Sequence, residues 1–387
     1  MRKNTKELAL IGLSFLAFVA LQAFPKLAWT AESGYDGGFY LLSDDKNFKF
    51  KFNFQIQPRY EYTSKTAALD TSTFKMARLR TVFSGFAYSP KFTYLLGVEY
   101  SGAGDKPDVR AGFVDFAFAD AFKLQLGQIG YQVNREDMFS ATGLQLISGS
   151  IVSDHFGSGL DVGLQAYGDI IPQLTYYFFV LNGNGPNTTN KNRSFFLGSR
   201  LEYSVMGNAA SFQGDLNYSD NPNLSFALAG GYDYGNSDET EDFDGFTAQG
   251  ISPHDSKLIR GGGDAGFSWK GFSLITEEQF VYNPLFKRFD YGYMAQSGYF
   301  IIPKKFEVAG RYGAVVPGFP IPALAKTGIT AGAGANAVPI YELLGGVNYY
   351  FQGHRMKLQT DYTYLMNRDG FSHINDQIIR AQLTMIF

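Results

Sequence analysis

The sequence predicts an all-β fold, a closed antiparallel transmembrane β-barrel of about sixteen strands with one connection folded into its interior. Three observations predict it. Apolar and polar residues alternate along many segments, short and long connections alternate along the chain, and residues 377–387 form one more alternating segment that ends on an aromatic residue. A period of two marks a strand whose faces meet different solvents. In a closed barrel the last strand pairs with the first, so no unpaired edge is left.

The first residues predict a secretory signal peptide. Arg2, Lys3 and Lys6 precede an apolar run from Leu8 to Leu21, which is shorter than a typical spanning helix. Small residues follow, and cleavage is predicted between about 23 and 31. The predicted organisation is therefore a signal peptide over residues 1–30, a short periplasmic lead-in over residues 31–47 and one barrel domain over residues 48–387.

The composition agrees with an exported β protein. The chain has 37 Phe, 25 Tyr and 44 Gly, which suit strands, turns and an aromatic belt at a membrane interface. It has no cysteine, so the fold has no disulfide to hold it. The net charge is -3, and this lack of a basic excess argues against a nucleic-acid partner.

Sixteen alternating segments are predicted to be strands. In the clearest one, residues 48–62, phenylalanine and tyrosine alternate with lysine, glutamine and arginine. The others are 76–88, 92–100, 109–118, 122–129, 160–168, 174–181, 195–203, 224–234, 259–269, 272–282, 291–301, 305–316, 341–350, 355–364 and 377–387. Residues 211–218 are a weaker candidate for an extra strand, and the alternation turns Glu278 towards lipid.

The connections give an independent prediction. Turns such as 270–271 alternate with long connections such as 130–159 and 235–258, and 204–223 is the one overlong member of the short class. Transmembrane barrels have short periplasmic turns and long external loops, and an even strand number puts both termini in the periplasm. A soluble sandwich gives no reason for this alternation.

The connection from Gly130 to Gly159 is the predicted constriction loop. It carries the charged and titratable residues Arg135, Glu136, Asp137, Asp154 and His155 together with many apolar residues. Folding into the barrel would bury the apolar residues and place the charges in the pore. The alternative is a compact loop packed on the rim.

The strand alternation places many charges in the lumen. The predicted pore-lining and anion-binding residues are Arg59, Arg78, Arg80, Arg135, Arg200, Arg260 and Arg311. Arg78 and Arg80 share one strand face, about 6.6–6.8 Å apart along the strand. Carboxylates such as Glu61, Glu99 and Glu277 are predicted to face the same lumen. Two interpretations stay open, because the arginines could guide anions or could pair with wall carboxylates.

The sequence does not favour catalysis. His155, His254, His354 and His373 all lie in predicted loops or turns, without the spacing of a metal site or a catalytic pair. No nucleophile elbow or phosphate-binding glycine motif is recognisable. We therefore expect no catalytic residues, no metal site and no cofactor.

Several ordered motifs resemble those of one family, the phosphate-selective porins O and P. The motifs are Ala-Arg-Leu-Arg at 77–80, Leu-Gly-Gln at 126–128 ahead of Glu136, Val-Leu-Asn-Gly-Asn-Gly at 180–185, Gly-Gly-Asp-Ala-Gly-Phe-Ser-Trp-Lys-Gly at 262–271 ahead of Glu277, Gln296 with Tyr299 and Phe300 before Arg311, and Gly-Val-Asn-Tyr-Tyr at 346–350 ahead of Lys357. The resemblance runs from about Phe74 to Phe387.

The resemblance implies a passive diffusion channel in the outer membrane of a Gram-negative bacterium. It implies a sixteen-stranded homotrimer in contact with lipid and lipopolysaccharide, and a pore for small anionic or neutral solutes. Phe387 also resembles the C-terminal signal that the outer-membrane assembly machinery reads. Because acids are plentiful in the predicted lumen, we expect a mild anion preference and not strong phosphate specificity. The alternatives are a plugged barrel that acts as a receptor or adhesin, and an outer-membrane hydrolase, for which the sequence offers no Ser–His pair.

Overall fold

The computed structural model describes ten stretches of the chain. They are residues 31–66, 68–101, 107–157, 159–190, 193–207, 213–234, 257–284, 287–318, 339–367 and 375–387. The predicted signal peptide lies outside these residues, as do His254 and His373.

The described residues form eighteen strands and two short helical segments. The strands are β1 Glu32–Tyr35, β2 Phe39–Leu42, β3 Lys49–Ser64, β4 Thr71–Ala87, β5 Ser89–Glu99, β6 Asp108–Ala119, β7 Phe122–Gly130, β8 Leu160–Ile171, β9 Leu174–Leu181, β10 Phe196–Met206, β11 Asn223–Asp233, β12 Leu258–Trp269, β13 Phe272–Asn283, β14 Arg288–Ile302, β15 Phe306–Val316, β16 Ile340–Gln352, β17 Met356–Asn367 and β18 Asn375–Ile386. A 3₁₀ turn, Glu136–Met138, and the helix α1, Ile151–Phe156, lie between β7 and β8. Neither is long and apolar enough to cross a membrane.

Strands β3 to β18 close into a barrel of sixteen antiparallel strands. Each strand pairs with the next along the chain, and β18 pairs with β3 from Gln377 opposite Ser64 to Ile386 opposite Gln55. The backbone of Phe387 completes the seam, since its N–H donates to the Phe54 carbonyl at 3.0 Å and its carbonyl accepts from Phe54 at 2.6 Å. The predicted fold class and strand number are confirmed.

The two faces of the wall differ as the alternation predicts. Along β14, buried inward-facing residues alternate with partly or fully exposed outward-facing ones such as Tyr291 and Tyr299. An apolar outer face and a polar inner face are what lipid outside and water inside require, and closure of the sheet leaves no unpaired edge strand. This is the architecture of a protein of the bacterial outer membrane. Glu278 on β13 is exposed on the outer face, opposite Tyr293.

The N-terminal lead-in extends the wall. Strands β1 and β2 form a hairpin, and β2 pairs with β3 from Phe39 opposite Phe52 to Leu42 opposite Lys49. This pairing continues the edge of β3 just beyond the point where Phe387 ends its contact. The lead-in therefore covers the part of β3 that β18 does not reach.

The turns at the end of the barrel that carries both termini, the end that an even strand number places in the periplasm, are mostly tight. The two-residue turn between β12 and β13 has positive φ angles at both Lys270, 45°, and Gly271, 84°. This is the backbone of a type I′ hairpin turn, which matches the twist of the flanking strands. The connection between β10 and β11 is much longer. Its described residues 213–218 contain no strand, so the weaker candidate for an extra strand is not observed there.

Candidate functional site

The connection between β7 and β8 folds into the lumen. We call its described residues 131–157 the inward loop. Most of its apolar residues are buried, and Leu144, Ile151 and Phe156 pack with Met294 and Val315 of the barrel wall. In a loop surrounded by water these side chains would stay exposed, so burial against the wall stabilises the inward position. The inward fold predicted from the apolar content of this loop is what the structure contains.

Two ion-paired arginines hold the beginning of the inward loop to the wall. Arg135 donates from Nε to Asp264 at 2.7 Å, and its Nη2 lies 2.9 Å from Glu202. Arg200 on β10 binds the same Asp264 at 2.5 Å and 3.0 Å. The Arg135 and Arg200 side chains are 4% and 0% exposed, so neither faces open water.

Glu136 is the next anchor. Its backbone N–H donates to Glu277 at 2.5 Å, and its carboxylate accepts two bonds from Ser150 at 2.9 Å and 2.6 Å. Arg311 lies 3.4 Å from the same carboxylate and 2.5 Å from Glu342. Burial raises the pKa of Glu136, while Arg311 and the bonds from Ser150 act in the opposite direction. Because Arg311 also donates to the carbonyls of 148 and 149, it fixes both arms of the loop.

The remaining predicted loop residues lie near α1. Asp137 accepts a hydrogen bond from Ser153 at 2.6 Å, and His155 lies 3.4 Å from Asp290 on β14. Asp137 and Asp154 are exposed. The structure therefore separates the predicted constriction residues into a buried pair, Arg135 and Glu136, and a more exposed group around the helix.

The tip of the inward loop is held by amides and a lysine that the sequence analysis did not propose as site residues. The carbonyl of Leu144 accepts from the buried Lys357 at 2.6 Å. Gln145 donates to Glu307 at 2.6 Å, and its carbonyl accepts from Asn348 at 2.8 Å and Gln359 at 3.1 Å. An amide in a loop has no periodicity to reveal it. The only available signal was the inward-facing position of the wall partners on β15, β16 and β17.

The inward loop divides the lumen into two unlike walls. We call β10–β18 the covered wall, because most of its inward-facing side chains are buried. We call β3–β7 the open wall. There many inward-facing side chains stay partly or fully exposed, including Lys51, Gln55, Lys75, Arg110 and Lys123. Water and solutes therefore have access along the open wall.

The charges of the covered wall are largely paired with one another. Besides the pairs of Arg200 and Arg311, Arg380 binds Asp361 at 2.7 Å and Arg288 binds Asp290 at 2.6 Å. Arg260 lies over the ring of Phe196, 6.0 Å from its centroid. This wall acts as a scaffold for the inward loop and leaves little unbalanced charge.

The open wall carries a positive stripe, which we define as Arg59, Arg78, Arg80 and Arg110. Arg80 is paired with Glu99 at 3.1 Å, and Arg59 donates to Gln382 at 2.7 Å. Arg78 donates to Gln57 at 2.6 Å. Among the described residues, neither Arg78 nor Arg110 is paired with a carboxylate. Arg110 is close enough to act electrostatically on both Arg78 and Arg80.

Arg110 is the stripe residue that sequence reasoning missed. It is the extra residue of a bulge in β6, because Gly97 of β5 pairs with Ala111 and Val98 pairs with Val109. Such a bulge breaks the strict alternation, so a count of every second residue does not place Arg110 in the lumen. The anion-binding role predicted for Arg59, Arg78, Arg80 and the other lumen arginines stays a prediction, and it did not include Arg110.

The site can admit ions and small polar solutes beside a guanidinium-rich surface. Among the residues that the structure describes, no group of three or more histidine, aspartate and glutamate side chains is placed to hold a metal ion. The lumen beside the open wall therefore carries a fixed positive charge.

The fold defined by this barrel is that of outer-membrane porins and channels. The outer membrane channel DcaP of Acinetobacter baumannii matches with a TM-score of 0.60 at 10% identity, over 89% of this chain and 99% of that one. OprB of Pseudomonas putida matches with a TM-score of 0.58 at 11% identity, over 87% and 94%. OmpT of Vibrio cholerae, in a trimer form, matches with a TM-score of 0.50 at 11% identity, over 87% and 99%.

At these identities the likeness shows the fold alone. No protein-family model matches the chain, and no curated protein is similar enough to match it. The resemblance to phosphate-selective porins is therefore carried by the motifs of the sequence.

Proposed function

We propose that the chain is a passive diffusion channel for small hydrophilic solutes, with a mild preference for anions. The observation that carries this proposal is the difference between the two walls. The covered wall neutralises its own charges, whereas Arg78 and Arg110 of the open wall have no carboxylate partner among the described residues. A fixed positive charge in a narrow, low-dielectric pore raises the local concentration of anions.

The preference is expected to be mild because the stripe is partly compensated. Glu99 binds Arg80 at 3.1 Å, and Glu61 lies 3.8 Å from Arg59 and 2.8 Å from Lys75. A guanidinium can fork onto a carboxylate or a phosphate, so both kinds of anion fit this surface. The proposal does not assign phosphate specificity.

The reversal potential in a potassium chloride gradient tests the selectivity. The wild type is expected to favour chloride. Replacing both Arg78→Gln and Arg110→Gln should shift the reversal potential towards potassium. The matched control is Arg193→Gln with Lys257→Gln, which removes the same charge from exposed positions outside the strands. A wild-type pore that prefers potassium, or equal shifts in both double variants, would refute the proposed role of the stripe.

A plugged barrel that works as a receptor is the second candidate. The observation in its favour is that the inward loop already covers the wall from β10 to β18. Single-channel recording separates the two functions, since a plugged barrel gives no stable conductance steps in a planar bilayer.

We also propose that the channel is a homotrimer. The apolar outer face and the trimer form of the similar Vibrio cholerae protein support this assembly. Cross-linking of the purified protein in detergent, followed by mass determination, tests it.

A further inference from the structure

A second segment enters the lumen from the opposite end. Residues 213–219, which we call the periplasmic segment, belong to the long connection between β10 and β11. Gln213 is 1% exposed and Asp215 is 3% exposed. Periplasmic turns of such barrels are short and stay outside the lumen. This long connection, with two buried polar side chains, departs from that pattern.

Asp215 fixes the periplasmic segment to a neighbouring turn. Its carboxylate accepts from the N–H of Gly271 at 2.7 Å and from the N–H and hydroxyl of Ser219 at 2.9 Å and 2.7 Å. The carbonyl of Ser219 in turn accepts from the N–H of Lys270 at 3.0 Å. The segment is thus attached to the rigid turn between β12 and β13.

Gln213 connects this attached segment to the inward loop. Its Oε1 accepts from the backbone N–H of Gln145 at 2.9 Å and from the amide of Gln296 at 2.9 Å. Its own Nε2 lies 3.4 Å from the carboxylate of Glu136. The loop from the external side and the segment from the periplasmic side therefore share one buried hydrogen-bond network.

Gly214 shows how closely the two elements approach. It has a φ of 81°, and a Cβ at this position would lie 2.8 Å from Oε1 of Glu307 and 3.3 Å from Nε2 of Gln145. A side chain would therefore both strain the backbone and push into the network. Glycine is needed here for the segment to reach the loop.

We propose that the periplasmic segment positions the inward loop and so sets the width of the passage along the open wall, with Gln213 as its positioning residue. The inference rests on the proposed channel function. The loop contacts the covered wall along its sides, and Gln213 adds support from below at the loop tip. Without that support the tip can move away from the covered wall towards the passage.

Cysteine accessibility tests the placement independently of conduction. The chain contains no cysteine, so each engineered thiol is the only one. Gln213→Cys should resist a bulky maleimide in the folded barrel, whereas Asn217→Cys, at an exposed position of the same segment, should react. Equal labelling of both variants would overturn the proposal, whatever the channel conducts.

Single-channel recording tests the positioning role. Loss of the buried bonds of Gln213 should raise the population of displaced loop states about fivefold or more. Gln213→Ala should therefore increase open-channel noise and brief closures, while Asn217→Ala should match the wild type. Gln213→Asn is a second variant for the case that Gln213→Ala folds poorly. It keeps the amide, but its side chain is one methylene shorter and cannot reach the same partners, so the same noise and closures are expected.

A double-mutant cycle completes the test. Gln296→Ala removes a second member of the same network, so its effect on noise should not add to that of Gln213→Ala. If folded variants at position 213 have the open-channel noise and closures of the wild type, the loop is positioned without the segment and the proposal is wrong. A different result is also informative. If Gln213→Cys resists the maleimide but the wild-type barrel gives no conductance, the channel function is refuted and the placement of the segment still holds.

Discussion

Arg200 and Arg78 show how one residue type takes two roles in the same lumen. Both occupy inward-facing positions. Arg200 is fully buried against Asp264 and Glu202, whereas the side-chain hydrogen bond of Arg78 to the described residues goes to the amide of Gln57. Alternation predicts the face on which a side chain lies. It cannot predict whether a loop will later cover that face, because the cover comes from residues far away in the sequence.

The buried pair of Arg200 and Asp264 is expected to matter for stability and not for selectivity. Asp264→Leu leaves Arg200 and Arg135 with Glu202 as their remaining carboxylate partner, and breaking a buried pair costs about 3–5 kcal/mol. We expect the folded barrel to lose its folded gel mobility at a lower temperature when samples are heated stepwise before electrophoresis. The control is Asp120→Leu at an exposed position of the turn between β6 and β7. An unchanged transition temperature would contradict the structural role.

His354 predicts a dependence of stability on pH. It lies in the turn before β17, where burial and the nearby Lys357 lower its pKa to about 3 from an ordinary value of 6.5. Between these two pKa values the unfolded chain binds a proton at His354 and the folded barrel does not. The free energy of unfolding therefore falls as pH drops from 6.5 towards 3. The substitution His354→Asn should reduce the loss of thermal stability between about pH 7 and about pH 4. An equal loss in both proteins would show that His354 is not responsible.

At the level of elements, the inward loop is the feature that narrows the lumen of the barrel. Its length and apolar content were visible in the sequence, since Val133, Leu144 and Ile147 have no reason to lie in an exposed loop. The periplasmic segment was visible only as an overlong turn. Its polar residues, Gln213 and Asp215, act through buried hydrogen bonds, and such bonds leave no pattern in a single sequence.

Removal of the first half of the inward loop, including its tip, should widen the proposed pore. Deletion of residues 133–147 takes away the part of the loop that covers β13 to β17, and water would then reach Lys357 and Glu307. We expect a higher single-channel conductance in a planar bilayer. A folded deletion variant with wild-type conductance would mean that ions do not pass beside the loop.

For the whole molecule, the closed barrel was predictable because one periodicity runs through nearly all of it. The seam between β18 and β3 follows from the alternating pattern at each end of the barrel domain. The outer surface is less uniform than that pattern suggests. Around Glu278 a groove of about 800 Å³ runs over β11 to β14, and glycines such as Gly261 and Gly263 line it.

We expect this groove to form the subunit contact of the proposed trimer. A charged side chain facing the bilayer midplane costs up to about 2–4 kcal/mol, somewhat less for a glutamate, so Glu278 is better placed against protein than against lipid. Small residues let two walls approach closely, which gives a neighbouring barrel access to the groove. We therefore expect Glu278 and the glycines around it to be covered by a second copy of the chain.

Filling the groove tests this contact. Gly263→Leu should obstruct a neighbouring wall and convert trimers into monomers, and Glu278→Leu should weaken the trimer while making the monomer more compatible with lipid. Thr360→Leu, at an outward-facing position of β17, is the matched control. Cross-linking and mass determination in detergent give the oligomeric state, and unheated gel samples show whether the barrel is folded. If both groove variants remain trimers, the contact lies on another face, and Glu278 must then be accommodated by lipid alone.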